Sequence, residues 1–222
     1  MNQDLVQKQD TGVAKSGNMI KLKDLLNEEL TAYHASPIKF YKFEISKLGS
    51  GTGKQFSGWG IYLSDKKESI KSYGKYLYQT TLFKGKSSKQ DTLLNISSAV
   101  TKDIIIKVLK EIYKLKNKKF DITKFNSYYN YTKNKSLPKV DFNDYELIEF
   151  DYNGYLFYKT LSRLLGGDKN ASLFLLKNGI YGLKRNVSGT VTDYILFDEN
   201  VINIEKITDT ETDTDIYAKG NK

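Results

Sequence analysis

Residues 33–73 read YHASPIKFYKFEISKLGSGTGKQFSGWGIYLSDKKESIKSY, and they contain the chain's single histidine, His34, and its single tryptophan, Trp59. Thr31 to Tyr33 is short and suited to a strand that delivers His34. Pro37 then interrupts it, because the residue before a proline is driven out of the helical region. Gly49, Gly51 and Gly53 alternate along a loop whose backbone can approach a ligand closely. Trp59-Gly60-Ile61-Tyr62-Leu63 is apolar, aromatic and short, as a buried strand is. Asp65 with Glu68 three residues later has the spacing of a helix cap. A helix is therefore expected over residues 66–78, with Ser69, Tyr73, Tyr76 and Leu77 near one face, followed by a strand over 79–83.

Outward from this stretch, residues 18–30 place Ile20, Leu22, Leu25, Leu26 and Leu30 at near-helical spacing. Residues 98–116 form a stronger helix, its stripe running Val100, Ile104, Ile105, Val108, Leu109, Ile112 and Leu115, with lysines opposite. That stripe reads as core. The basic run 114–119 closes it, where cations favour a helix C-terminus. Residues 120–137 interleave aromatics and lysines. They read either as a solvated loop with its tyrosines turned inward or as a surface that stacks and neutralises single-stranded nucleic acid. Residues 91–97 and 139–152 are ambiguous. Residues 154–165 read as a helix stopped by Gly166 and Gly167. Asp168 caps a further helix over 169–178. Strands follow at 181–183 and 193–197, joined by a polar loop, and at 201–207. The expected organisation is a flexible segment 1–17, one domain over 18–207 with an insertion at about 86–165, and a disordered acidic tail over 208–222.

The 222 residues suffice for one domain with a real core. With no cysteine and one histidine, disulfides, thiolate chemistry and Cys- or His-based metal sites are excluded, and no metal is expected. No apolar run approaches membrane-spanning length and the polar N-terminus has no signal-peptide core, so neither a membrane nor secretion is indicated. The net charge of +9 comes mainly from lysine. It reads as a solvated basic surface or as attraction to an anionic partner such as nucleic acid. No dinucleotide fingerprint of the Rossmann type and no P-loop is present.

Taken singly, a histidine after a strand or a glycine loop says little. Their sequence here is more specific. YHAS, the glycine loop, GWGIYLSD and a tyrosine after it resemble the ADP-ribosyltransferases of the diphtheria-toxin and poly(ADP-ribose) polymerase type, above all small members encoded by phages and mobile elements. Gly179-Ile180-Tyr181-Gly182 followed by Thr192-Asp193-Tyr194-Ile195-Leu196-Phe197-Asp198 is similar to the family's late catalytic strand. The resemblance covers residues 31–78 and 171–204.

The resemblance implies an α+β fold in which split, mostly antiparallel sheets form an NAD cleft with flanking helices. It implies NAD as co-substrate, with His34, Tyr62 and Asp193 catalytic. His34, Ala35, Ser36, Gly51, Gly53, Gly60, Tyr62, Ser69 and Tyr73 would bind the dinucleotide. His34 would hold ribose hydroxyls, Tyr62 and Tyr73 would enclose the nicotinamide ring, and Asp193 would stand where polymerase-like members carry glutamate. The expected activity is transfer of ADP-ribose to a host protein or nucleic acid in the cytoplasm of a bacterial or phage-infected cell. Absence of a Glu-x-Glu or Gln-x-Glu pair disfavours the arginine-modifying subclass. Two alternatives stand beside it: a catalytically degenerate fold that binds nucleic acid or protein, motivated by Asp193 and the basic surface, and an RNA 2′-phosphotransferase relative, disfavoured by the scarcity of arginine.

Overall fold

The computed structural model describes residues 30–49, 56–85, 92–133 and 153–217. The expected N-terminal helix, Gly51 and Gly53, residues 139–152 and the last five residues lie outside these.

Eight strands build one sheet: β1 (Leu30–Ser36), β2 (Ile61–Ser64), β3 (Tyr76–Leu82), β4 (Leu93–Asn95), β5 (Gly182–Ser188), β6 (Val191–Leu196), β7 (Ile202–Asp209) and β8 (Thr214–Tyr217). Their order across the sheet is β4-β5-β6-β2-β1-β3-β7-β8. All neighbours are antiparallel except β4 and β5. The coarse expectation, α+β with a mostly antiparallel sheet, therefore holds. The sheet is continuous but unevenly joined. β1 meets β3 through seven residue pairs, whereas β1 meets β2 through one, Tyr33 opposite Ser64. That single pair is a seam between β4-β5-β6-β2 and β1-β3-β7-β8.

Among the described residues, four helices accompany the sheet: α1 (Lys102–Leu115), α2 (Ile122–Lys133), α3 (Gly154–Leu165) and α4 (Asp168–Lys177). The stripe read along α1 is core except at Leu115, which is 62% exposed: Ile105, Val108, Leu109 and Ile112 are buried with Phe157 and Leu161 of α3 and with Leu183 and Ile195 of the sheet. The opposite face of the sheet buries Ala32, Ile61, Leu63, Tyr194 and Leu196. Successive strand side chains alternate between faces, so β2 sends Ile61 and Leu63 to one core and Tyr62 toward the other. Burial on both faces explains why this strand is continuously apolar in sequence. The described part of the expected insertion, including β4, α1 and α3, belongs to the main core rather than standing apart.

Several expectations need correction. The helix over 66–78 does not form. Two 3-10 turns, Lys67–Ser69 and Lys71–Tyr73, take its place, and β3 already begins at Tyr76. The Asp65 carboxylate that suggested a cap accepts a hydrogen bond from the Thr192 amide instead. Tyr76, Leu77 and Tyr78 pair with Ser36, Ala35 and His34, and strand pairing overrides a weak helical pattern. The helix at Asp168 starts with Gly167 at the cap position, and the Asp168 carboxylate bonds to Lys159 and Ser162. The expected polar loop 184–192 is mostly hairpin, formed by β5 and β6. Residues 122–133, read as loop, are helical, with Phe125 buried. Over its described residues the tail forms β8 paired with β7, and its acids meet lysines. Lys75 pairs with Asp209 and Glu211, and Lys206 with Asp215.

Candidate functional site

The register lines up a row of side chains across five strands. Gln79 lies opposite Tyr33, Tyr33 opposite Ser64, Ser64 opposite Asp193, and Asp193 opposite Arg185. Directly paired residues point to the same face, and neighbouring strands are about 4.8 Å apart. The row crosses the seam at its centre. A cavity of about 440 Å³ lined by Phe56, Ser57, Tyr155 and Arg185 opens at one end. Another of about 460 Å³ lined by Tyr33, Lys71, Gln79 and Lys206 opens at the other.

His34 occupies the seam from the other face. Alternation sets it with Ala32 and opposite Tyr78, not with Tyr62 and Asp193. Its ring lies among Phe40, Phe43 and Tyr78. The Nδ1–H donates to the Tyr62 carbonyl oxygen at 2.8 Å, spanning the gap where backbone pairing between β1 and β2 gives out. Burial lowers the imidazole pKa, partly offset by this bond, so the ring is neutral at pH 7. With Nδ1 protonated, Nε2 carries the lone pair and is an acceptor for a hydroxyl.

Tyr62 directs its hydroxyl into the turn before β2. The oxygen accepts from the Ser57 amide and donates to the Gly58 carbonyl. Burial raises its pKa, with those two bonds opposing. The glycine at 60 is a packing requirement: a Cβ there would lie 2.7 Å from the Leu196 carbonyl oxygen and from Ile195. The same turn is tied to the helices. The buried Tyr158 hydroxyl accepts from the Trp59 amide, and Ser172 donates to the Trp59 carbonyl. Composition gave no signal for this network.

Asp193 is ion-paired. Arg185 donates from one terminal nitrogen to its carboxylate at 2.6 Å and from the other to Ser57 Oγ at 2.7 Å. Among the described residues, Arg185 Nε is buried without a hydrogen-bond partner. In sequence Arg185 stood out only as the arginine near the late motif. Ser69 Oγ lies 2.9 Å from Ser64 Oγ, which places Ser69 beside the row. Ala35 and Ser36 end β1, where Ser36 Oγ accepts from the Ile38 amide. Tyr73 is 68% exposed. It is held near Ser36 because Gly74 lies against the Ser36–Pro37 backbone, where a Cβ would be 2.5 Å from Pro37 N.

The structure thus brings His34 to the Tyr62 backbone, Ser69 and Ser64 to Asp193, and Tyr73 to the end of β1. It does not put the His34 ring and the Asp193 carboxylate on one face. Among the described residues no group of three or more His, Asp or Glu side chains is placed to hold a metal ion, and no helix is long and apolar enough to cross a membrane. Comparison of the chain with protein-family models, curated proteins and solved structures finds no match in any of the three.

Proposed function

We propose that the protein is an NAD-dependent mono-ADP-ribosyltransferase. The observation that carries this reading is the neutral His34 bonded to the Tyr62 carbonyl at the one-pair seam, two strands from Asp193. Three residues distant in sequence lie on the adjacent strands β1, β2 and β6, with the His34 ring on one face and Tyr62 and Asp193 on the other, so the dinucleotide would have to bridge the seam between them. A neutral imidazole with a committed Nδ1 suits a ribose hydroxyl at Nε2. The exposed Tyr73 ring, next to Gly74 where the chain packs on the Ser36–Pro37 backbone, suits stacking on nicotinamide, worth about 0.5–1.5 kcal/mol.

In this reading the bond between the ribose anomeric carbon and the nicotinamide nitrogen breaks. Its electron pair leaves with neutral nicotinamide, and positive charge develops on the ribose. The Asp193 carboxylate stabilises that charge and receives, directly or through water, the proton lost by the acceptor as it bonds to the anomeric carbon. Arg185 orients the carboxylate, but it also draws on the same negative charge. That pairing favours the second reading, a fold that binds without catalysing.

Nicotinamide release and transfer of labelled ADP-ribose to lysate, with calorimetry of NAD binding, separate the two. Asp193→Asn is expected to slow release about 10²–10³-fold, the scale of one lost transition-state contact, while NAD still binds. His34→Ala is expected to weaken NAD binding. Wild-type protein that binds NAD and releases no nicotinamide supports the second reading. Absence of NAD binding overturns the transferase.

A further inference from the structure

Residues 102–124 carry eight lysines and three carboxylates, a surplus of five positive charges in a chain whose net charge is +9. Two of those carboxylates serve helix starts. Asp103 sits in the first turn of α1, and Asp121 accepts from the Thr123 and Lys124 amides as the cap of α2. Lys107, Lys110 and Lys114 fall on one exposed stripe opposite the buried face of α1. The stripe runs about 10 Å along the helix at 1.5 Å per residue. Lys116, Lys118 and Lys119 continue it around the helix end, all exposed.

That end is built rather than frayed. Asn117 adopts a left-handed φ of 53°, and the Lys118 amide reaches back to the Tyr113 carbonyl at 2.9 Å, which closes the helix as a Schellman turn. Phe120 then returns the chain to the core against Tyr113 and Phe125. Lys107, Lys110, Lys114, Lys116, Lys118 and Lys119 make no salt bridge among the described residues, unlike Lys75, Lys159 and Lys206.

We infer that this lysine ridge docks the phosphate backbone of nucleic acid without reading its sequence. A duplex presents one negative charge per about 1.7 Å of axis, and lysines in a fixed row release its counterions. Base reading favours arginine forks, and the segment has no arginine. A lipid surface fits less well, because the apolar face of α1 is buried in the core and is not free to enter a bilayer. The inference concerns a surface and does not depend on the transferase reading.

The test is binding of a fluorescent DNA duplex and a single-stranded RNA of mixed sequence to the full chain without NAD, over a salt series. Expected is binding whose logarithm falls linearly with log salt and changes little with sequence. Lys110→Gln/Lys114→Gln/Lys118→Gln should lower the salt slope by about three and the affinity at least tenfold, since each phosphate contact contributes a slope of about one. Lys47→Gln/Lys75→Gln/Lys84→Gln, with the same charge loss elsewhere, should bind like wild type. Circular dichroism verifies that both variants fold. No binding at low salt, equal losses in the two variants, or tighter binding to phosphatidylserine vesicles than to either oligonucleotide would overturn the inference.

Discussion

At the scale of single residues, His34 offers the sharpest measurement. Its ordinary pKa is 6.5 and burial holds the folded value below that. As pH falls through about 6.5 the unfolded chain takes up a proton that the native ring refuses, so stability is full above that value and declines as pH drops toward the folded pKa. Urea midpoints are therefore expected to fall between pH 7 and pH 5 more steeply in wild type than in His34→Gln; parallel profiles would mean the ring does not couple to folding. His34 was legible as a candidate, being the lone histidine after a strand. Its partner was not, because the Tyr62 carbonyl becomes a neighbour only when β1 and β2 meet. Arg185 was noticed only as an arginine near the late motif. Nothing in the chain shows that β5 and β6 form a hairpin setting it opposite Asp193.

At the scale of elements, the segment between β2 and β3 shows where local pattern misleads. Ser64, Asp65, Glu68 and the later tyrosines imitate a capped helix, yet each is used otherwise. Ser64 Oγ accepts from the Lys66 amide, Asp65 binds the Thr192 amide, and Tyr76 and Tyr78 are strand residues. Gly74 is the pivot. Its φ of 178° suits any residue, but a side chain would run into the Ser36–Pro37 backbone. Gly74→Ala should cost about 1–3 kcal/mol, as overpacking does, and lower Tm by about 2–4 °C per kcal/mol for a chain of this size. Calorimetry checks the loss, and an unchanged Tm would show that the contact relaxes freely. By contrast α3 matches the expected residues 154–165 and its glycine stop, while α1 begins four residues later than expected, at Lys102, and leaves Leu115 exposed.

At the scale of the whole molecule, two cores share one sheet. Phenols sit deep in both: Tyr78 and Tyr194 near one face, Tyr158 under the other. Burial pushes all three up to about 12. The unfolded chain would lose these protons near pH 10, so stability is fully present below that value and is lost as pH rises toward 12. Phenolate absorbance should rise in two stages, with the late stage coincident with loss of near-UV ellipticity. A single smooth titration near pH 10 would contradict the burial. The acidic tail departs from expectation for the same whole-molecule reason: composition counts charge but cannot see Lys75, just before β3, and Lys206 on β7.

The single-pair seam has a further consequence for how the protein is made. The chain crosses from one side to the other repeatedly, so neither side is a continuous segment of polypeptide. During synthesis β1 can pair with β3 across the 39 residues between Ser36 and Tyr76, but β2 must wait for β6, more than 120 residues later. Until then the apolar side chains of β2 lack the β6 partner that covers them, so completing the sheet depends on this late, long-range closure.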